Sequence, residues 1–212
     1  MNYFKENINY LIEIGKLNEN ILKQDIGLDL LMSVSKQTKL PYQQLIDVSL
    51  RSKKQFQDQK IQMLVLDVDG VLTDGGMFYT ESGDEFKKFN AKDGLAIRKL
   101  TKSGFPVGII SSGFNKTIIQ RRAELLGISH VYLGLEEKLD ILKSWCEKLS
   151  ISLENVAYIG DDLNDEKLIQ AVGFSACPAD AVNEIKLIAD VVLGKKGGKS
   201  CVREFIDTFL SS

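Results

Sequence analysis

From residue 61 onward, the chain alternates short apolar runs rich in Val and Ile with longer amphipathic stretches. This alternation is typical of strands and crossover helices in a parallel sheet. It predicts strands at 63–67, 107–110, 130–133, 156–160, 174–177 and 190–193. It predicts helices near 93–103, 116–126, 138–149, 165–171 and 198–210. The predicted fold class is therefore α/β with a doubly wound parallel sheet, which binds ligands at the carboxyl ends of its strands.

Directly after the first predicted strand, residues 75–90 break this alternation. Two short strands around Ser82 and Gly83 are predicted there, as a β-hairpin insert too short to be a separate cap domain. A monomer would expose the aromatic side chains of this hairpin unless the core covers them. These side chains are Phe78, Tyr79, Phe86 and Phe89.

The first 60 residues instead show apolar residues at helical spacing. We predict a helical N-terminal extension over 1–60, with a boundary near 55–62, followed by a main domain over 61–212. Pro41 is expected to open a helix, and residues 30–54 suggest two helices around a turn. The apolar positions of this region are Ile8, Leu11, Ile12, Ile21, Leu22, Leu45, Ile46 and Leu50.

The 212 residues, 44% apolar and 26% charged, have the composition of a soluble globular protein. The net charge of −2 gives no indication of binding to nucleic acid or to an anionic membrane. Glu13, Lys16 and Glu19 interrupt the N-terminal apolar residues, so no signal peptide or membrane span is predicted and a cytoplasmic location is expected. Without CxxC spacing, the cysteines are expected to be reduced and buried: Cys146, Cys177 and Cys201.

The run LVLDVDGVLTDG ends a buried apolar strand with Asp67 and places Asp69 two residues later. In phosphoryl transfer, one such carboxylate attacks phosphorus, while the second protonates the departing alcohol and later activates water. Gly70 allows a tight turn close to a bound phosphate. An ordinary turn after a strand is the alternative for these residues.

The run VAYIGDDLND (156–165) ends a second strand with Asp161, Asp162 and Asp165, which the doubly wound fold brings to the same sheet edge. Hard oxygen ligands of this kind suit Mg²⁺. A helix N-cap with acidic first-turn residues is the alternative. Both readings are compatible if Asp165 caps the helix while Asp161 faces the metal.

Two further residues complete the predicted site. Ser112, after the strand VGII, offers a hydroxyl to a phosphate oxygen, and Lys138 opens a helix with an ammonium that would neutralise phosphate and carboxylates. Each alone is a weak signal, because such residues are usually turn-forming or solvated. Their order along the chain is the stronger indication.

This order of motifs, DVDGVLTDG, IISSG, Lys138 and GDDLND, resembles that of the haloacid dehalogenase superfamily, whose fold is Rossmann-like and whose common activity is phosphate monoester hydrolysis. The hairpin, FNAKDGLAIR (89–98) and GGKSCVREF (197–205) are more narrowly similar to its 3-deoxy-D-manno-octulosonate 8-phosphate phosphatase subfamily, over about 61–210. The resemblance implies a Mg²⁺-dependent phosphatase that cleaves a sugar-acid phosphate through an aspartyl-phosphate. It also implies a homotetramer, in which the hairpin and the C-terminal segment of different subunits help to close each site.

The resemblance further implies roles for individual residues. Asp67 would be the nucleophile, Asp69 the acid/base whose main-chain carbonyl also binds Mg²⁺, and Asp161 the third protein ligand. Ser112 would bind the transferring phosphate, and Lys138 would steady it. The residues near or behind the metal shell would be Asp162 and Asp165. Those that help to hold the sugar acid would be Asn90, Ala91, Lys92, Asp93, Gly94, Arg98 and Arg122.

One position departs from the subfamily, whose threonine-glycine-arginine triplet is Ser112, Gly113 and Phe114 here. An arginine that would pair with the substrate carboxylate is therefore missing. Losing such a contact is expected to cost roughly a few kcal/mol of affinity unless another cation substitutes. A nine-carbon sialic-type acid phosphate is the alternative substrate.

Rival functions fit parts of the sequence. GKKGGKS (194–200) is similar to a nucleotide-binding P-loop, but Gly194 and Gly198 enclose three residues where four are required, so substrate contact or a mobile loop is the better account. A signalling receiver domain has its aspartates in a different order. A catalytically idle oligomerisation domain would not need the carboxylates of Asp67, Asp69 and Asp161.

His130 and Trp145 are expected to be structural.

Overall fold

The computed structural model describes residues 3–112 and 116–211. The chain divides into two units, Met1–Asp58 and Gln59–Ser212. The division falls within 55–62, where the helical pattern of the sequence gives way to the alternating one.

The first unit contains α1 (Phe4–Glu13), a 3₁₀ turn (Glu19–Lys23), α2 (Leu28–Thr38), α3 (Tyr42–Asp47) and α4 (Leu50–Asp58). Pro41 precedes α3 as its N-cap. Residues 30–54 thus contain three helices, not the expected two, because Val48 is extended between α3 and α4. The buried side chain of Asn7 stabilises this break, since it donates to the carbonyls of Leu45 (2.9 Å) and Val48 (2.8 Å) and accepts from the N–H of Leu50 (2.8 Å).

In chain order, the strands of the second unit are β1 (Met63–Leu66), β2 (Phe78–Tyr79), β3 (Glu85–Phe86), β4 (Val107–Ser111), β5 (His130–Leu133), β6 (Val156–Ile159), β7 (Phe174–Cys177) and β8 (Val191–Val192). The main sheet has the order β5-β4-β1-β6-β7-β8, and its strand pairs are parallel. The order reverses beside β1, as in a doubly wound fold. The predicted fold class is therefore confirmed.

The helices of this unit are α5 (Ala91–Lys102), α6 (Lys116–Leu126), α7 (Lys138–Leu149), α8 (Glu166–Ala171), α9 (Asn183–Ile188) and α10 (Cys201–Phe205), which continues as a π-helical turn (Ile206–Leu210). The sequence pattern did not predict α9, which has only six residues. None of the helices in 3–112 and 116–211 has the length and apolar character needed to cross a membrane.

The central strands are buried on both faces, which explains their continuous apolar sequences. Every residue of β1 and β6 is buried. In the register of the sheet, Leu66 lies opposite Ile109 on one side and Ile159 on the other. The loops that follow β1, β4 and β6 therefore emerge together at one edge, and they carry polar side chains of the site.

The hairpin is an antiparallel pair with Phe78 opposite Phe86 and Tyr79 opposite Glu85. Its turn contains Gly83 at φ 88°, which agrees with the predicted hairpin. Phe78, Tyr79 and Phe86 are each more than half exposed in the single chain. The core of this chain thus leaves the aromatic ribbon uncovered.

Candidate active site

Asp67 follows β1 at the centre of the sheet edge, and only 5% of it is exposed. Its N–H donates to the carbonyl of Ile159 (3.0 Å), which extends the strand pairing by one residue and fixes the backbone. Its Oδ1 lies 3.1 Å from the Nζ of Lys138. The carboxylate is thus held at the mouth of the sheet, against a buried cation.

Gly70 brings the loop after β1 against the second acidic strand end. Its φ is +84°, and a Cβ at this position would lie 1.9 Å from Oδ2 of Asp161. Gly197 and Gly198 pack against this loop. A Cβ on Gly197 would lie 1.8 Å from the carbonyl oxygen of Gly70, and the N–H of Gly198 donates to the carbonyl of Val71 (2.9 Å). Through these two glycines the segment 194–200 therefore packs against the acidic loop, and substrate contact by the rest of the segment stays a prediction.

Asp165 is fully buried and accepts hydrogen bonds on both oxygens. Oδ1 accepts from Nζ of Lys138 (2.6 Å) and from the hydroxyl of Tyr158 (2.6 Å). Oδ2 accepts from the N–H groups of Asp161 (2.8 Å) and Asp162 (3.3 Å). Asp165 thus orients Lys138 and shapes the loop that carries Asp161.

The helix-cap alternative for this loop is also partly realised. The side chain of Asp162 accepts from the N–H of Leu163 (2.7 Å), and together with Asp165 it forms a capping box around a 3₁₀ turn (Leu163–Asp165). Asp162 is exposed, whereas Asp165 faces inward. Asp165 therefore takes part in the cap as the sequence suggested, and Asp162 is its partner in the capping box.

Three carboxylates, those of Asp67, Asp161 and Asp165, each place an oxygen within 4.8 Å of the others. Burial, together with the charge of Asp165, raises the pKa of Asp67 to about 7. Burial and the charge of Asp67 raise the pKa of Asp161 to about 8. With all three carboxylates ionised, Lys138 would supply one positive charge against three negative ones, and this repulsion adds to burial in raising both pKa values.

This cluster fits a divalent cation such as Mg²⁺. Oδ1 of Asp161 is buried and has no hydrogen-bond partner among the described residues. A buried oxygen without a partner is costly unless a cation or donor meets it. Asp67 and Asp161 provide the hard oxygen donors that Mg²⁺ prefers, whereas both oxygens of Asp165 already accept hydrogen bonds. Asp67 and Asp161 are therefore the side chains suited to hold the ion.

Asp69 contacts the hairpin through Lys87. The Nζ of Lys87 lies 2.6 Å from Oδ1 of Asp69 and 2.8 Å from Oε1 of Glu85, and only 2% of the Lys87 side chain is exposed. The hydroxyl of Thr73 also donates to Oδ1 of Asp69 (3.3 Å). The hairpin thus fixes the second carboxylate of the acidic loop.

A cavity of about 670 Å³ opens beside these groups. Asp67, Asp69 and Ser112 line it, and the hairpin and the start of α6 form its walls. The other lining residues are Met77, Tyr79, Gly83, Glu85, Lys87, Ser111, Lys116, Thr117 and Asn164. The structure therefore brings the predicted nucleophile, acid/base and phosphate-binding residue to one cavity, while Phe114 lies outside the described residues.

The residues expected to hold the sugar acid do not line this cavity in the described part of the chain. Asn90 caps α5 and donates to the carbonyl of Gly198 (3.1 Å). Asp93 is buried and accepts from the N–H groups of Ser200 (3.2 Å) and Arg203 (2.7 Å), which anchors α10. Within one chain, both side chains thus hold the C-terminal segment in place.

Four other members of that predicted set lie together where α5 packs against α6. Arg122 donates to the carbonyl of Asn90 (3.4 Å) and lies over the ring of Phe89, 5.3 Å from its centroid. A Cβ on Gly94 would lie 2.2 Å from an Nη of Arg122, so a larger residue there would displace the guanidinium from its present position. A separate hollow of about 360 Å³ is lined by Ala91, Gly94, Arg98 and Arg122, and Lys92 is exposed. Substrate contact by these residues stays a prediction.

Sequence reasoning missed Lys87 and Tyr158. A phenol within the aliphatic strand VAYI was a signal for Tyr158, since buried hydroxyls need partners. Lys87 had no such signal, because its contact with Asp69 depends on how the hairpin folds back.

The expectations for the histidine, tryptophan and cysteines agree with the structure. His130 packs edge-on against Trp145, with ring centroids 5.5 Å apart. The three cysteines are free and buried. None of these side chains lines the cavity beside Asp67.

Comparison with known proteins gives consistent matches. The family model of haloacid dehalogenase-like hydrolases matches residues 131–206. The 3-deoxy-D-manno-octulosonate 8-phosphate phosphatase of Escherichia coli strain K12 is 42% identical over 152 residues, which are 72% of this chain and 80% of that protein.

Solved structures agree with this match. The crystal structure of the Yersinia pestis 3-deoxy-D-manno-octulosonate 8-phosphate phosphatase has a TM-score of 0.70 and 40% identity, over 73% of this chain and 84% of that one. The Moraxella catarrhalis phosphatase of the same name, in complex with magnesium, phosphate and KDO, has a TM-score of 0.70 and 35% identity, over 74% and 93% of the two chains. The chain therefore belongs to the 3-deoxy-D-manno-octulosonate 8-phosphate phosphatase family, within the haloacid dehalogenase-like phosphoric monoester hydrolases.

Proposed function

We propose that this chain is a Mg²⁺-dependent phosphatase that hydrolyses 3-deoxy-D-manno-octulosonate 8-phosphate. The observation that carries the proposal is the buried pair of Asp67 and Lys138 beside Asp161, whose Oδ1 has no partner among the described residues. Family membership and the name of the Escherichia coli relative support the substrate. The magnesium, phosphate and KDO bound to the Moraxella catarrhalis relative support the metal and both products.

In the first step, a carboxylate oxygen of Asp67 bonds to phosphorus as the bond from phosphorus to the sugar oxygen breaks. Asp69, in its protonated form, donates its proton to the departing oxygen. Ser112 donates a hydrogen bond to the phosphate, and Lys138 neutralises part of its charge. Mg²⁺, when held by Asp67, Asp161 and the carbonyl of Asp69, supplies positive charge that stabilises the phosphate oxygens.

In the second step, water attacks phosphorus and the bond from Asp67 to phosphorus breaks. The Asp69 carboxylate takes the proton from that water, which restores the acid for the next cycle and releases inorganic phosphate. Lys87 keeps Asp69 in position between the two steps, because its buried ammonium pairs with the partly exposed Asp69 carboxylate. Asp162 and Asp165 shape the loop of Asp161 without reacting.

This chemistry separates the proposal from its rivals. A receiver domain would keep one stable phosphoryl group and has no use for a second catalytic acid. An idle oligomerisation domain would not need to retain the costly buried cluster of Asp67, Asp161 and Asp165. Repeated turnover of a phosphate ester would exclude both.

A homotetramer is part of the proposal. The exposed ribbon of Phe78, Tyr79 and Phe86 is the kind of apolar surface that subunit contacts cover. A second chain would also bring additional residues to the open side of the cavity. Light scattering that gives a monomer at micromolar concentration would contradict this part of the proposal.

The test is phosphate release from a panel of esters with Mg²⁺. We expect the eight-carbon acid 8-phosphate to be hydrolysed with the highest kcat/KM. Preference for a nine-carbon sialic-type acid 9-phosphate would favour the alternative substrate. The Asp67→Asn variant, purified in parallel, controls for contaminating phosphatases. No release above that control from any ester would refute the phosphatase assignment.

A further inference from the structure

The positive charges around the cavity are unequally engaged. Two lysines line it among the described residues, Lys87 and Lys116. Lys87 is paired with both Asp69 and Glu85 and is almost fully buried. Lys138, behind the cavity, is paired with Asp67 and Asp165. Neither of these paired lysines is available to a second anionic group of a ligand.

Lys116 differs from both. It is exposed, and it forms no ion pair or side-chain hydrogen bond with a residue in 3–112 or 116–211. It begins α6, and the following Thr117 also lines the cavity. An ammonium and a hydroxyl therefore flank the same wall, at a helix start that favours negative charge.

The cavity has room for a ligand with two anionic ends. Its volume of about 670 Å³ is much larger than a phosphate alone requires. Phosphate at Asp67 and Ser112 would leave a sugar chain to extend towards the walls. For a sugar acid, the carboxylate needs a cation that does not already serve a protein carboxylate.

We propose that Lys116 is the specificity-determining residue that binds the carboxylate of the substrate, with the hydroxyl of Thr117 beside it. This inference rests on the proposed function, since it requires a sugar-acid phosphate as the substrate. It also identifies a cation for the task that an arginine at position 114 would otherwise perform, where this sequence has Phe114. Lys116 takes no part in the attack on phosphorus.

The experiment compares two phosphate esters on four forms of the full chain. One ester is the eight-carbon acid 8-phosphate, and the other is a pentose 5-phosphate, which has no carboxylate. The forms are the wild type, Lys116→Met, Lys116→Arg and Arg121→Met. Arg121 lies on the same helix, is exposed and does not line this cavity, so it controls for the loss of one positive charge.

We expect Lys116→Met to lower kcat/KM for the acid substrate roughly 10- to 100-fold, mainly through KM, because one charge-assisted contact is lost. For the pentose ester, kcat/KM should stay within about twofold. Lys116→Arg should restore most of the loss, and Arg121→Met should behave as the wild type.

The outcomes separate this inference from the proposed function. If the wild type prefers the acid ester and Lys116→Met keeps that preference, the inference is wrong while the proposed function stands. An equal loss on both esters would also overturn it, because Lys116 would then serve the phosphate. A wild type that cleaves both esters equally would refute both the carboxylate contact and the proposed substrate, but not the phosphatase activity.

Discussion

Replacing Gly70 by alanine tests whether the loop after β1 must approach Asp161 closely. The added Cβ would lie 1.9 Å from Oδ2 of Asp161, so the carboxylate must move by roughly 1.5 Å to regain an ordinary contact. Gly104 provides the matched control, since its φ is also +84° and a Cβ there meets nothing within 4 Å. Both variants place alanine at the same positive φ, but only Gly70→Ala displaces Asp161.

The magnitudes follow from these contacts. Alanine at positive φ should lower the free energy of unfolding by about 1–2 kcal/mol in both variants. The collision in Gly70→Ala should add about 1–3 kcal/mol. Because a displacement of about 1 Å at a reacting centre can cost roughly 100-fold in rate, kcat/KM should fall by about that factor. More Mg²⁺ should also be needed for half-maximal activity, since Asp161 is a proposed ligand.

The assay combines urea unfolding of both variants with phosphate release at increasing Mg²⁺ concentration. We expect Gly104→Ala to keep wild-type kcat/KM and Mg²⁺ dependence despite its lower stability. If Gly70→Ala matched Gly104→Ala in activity and Mg²⁺ dependence, the close approach of this loop to Asp161 would have no catalytic role, and the reasoning would be refuted.

Three further predictions concern the surroundings of the site. Lys87→Met should lower kcat for the sugar-acid phosphate by about 10- to 100-fold, because Asp69 loses the ion pair that positions it. The p-nitrophenol burst from p-nitrophenyl phosphate should fall less, because that leaving group needs no proton. Equal effects on both substrates would contradict this role. Tyr158→Phe should lower the free energy of unfolding by about 2 kcal/mol in urea titrations, because Asp165 loses one buried hydrogen bond, and an unchanged stability would count against that bond. Chelation with EDTA should abolish activity, and added Mg²⁺ should restore activity and raise the Tm, because the ion binds only the folded chain. Activity that persists after dialysis against EDTA would contradict the requirement for Mg²⁺.

The sequence predicted the parts of the site that depend on regular structure. Parallel strands end at one edge, so the carboxylates after β1 and β6 and the hydroxyl after β4 had to meet there. Asp67, Asp161 and Ser112 were therefore accessible to sequence reasoning. Lys138 could be included because it opens a helix, α7, whose N-terminus faces the same edge.

The parts that the sequence did not predict depend on contacts between segments far apart in the chain. Lys87 reaches Asp69 only because the hairpin folds over the acidic loop. Gly197 packs against Gly70 across more than half of the second unit, and no local pattern encodes such a contact. In the first unit, the separation of α3 from α4 depends on Asn7, a polar residue that helical spacing assigns no role.

The most direct test of the account is to trap the phosphorylated enzyme. Substrate labelled with radioactive phosphorus would be mixed with the wild type and Mg²⁺, quenched in acid within milliseconds, and the labelled peptide identified. We predict acid-stable label on the peptide that contains Asp67, none in Asp67→Asn, and a loss of turnover in that variant of about 1000-fold or more. Label on another residue, or near-wild-type turnover by Asp67→Asn, would contradict the assignment of Asp67 as the nucleophile.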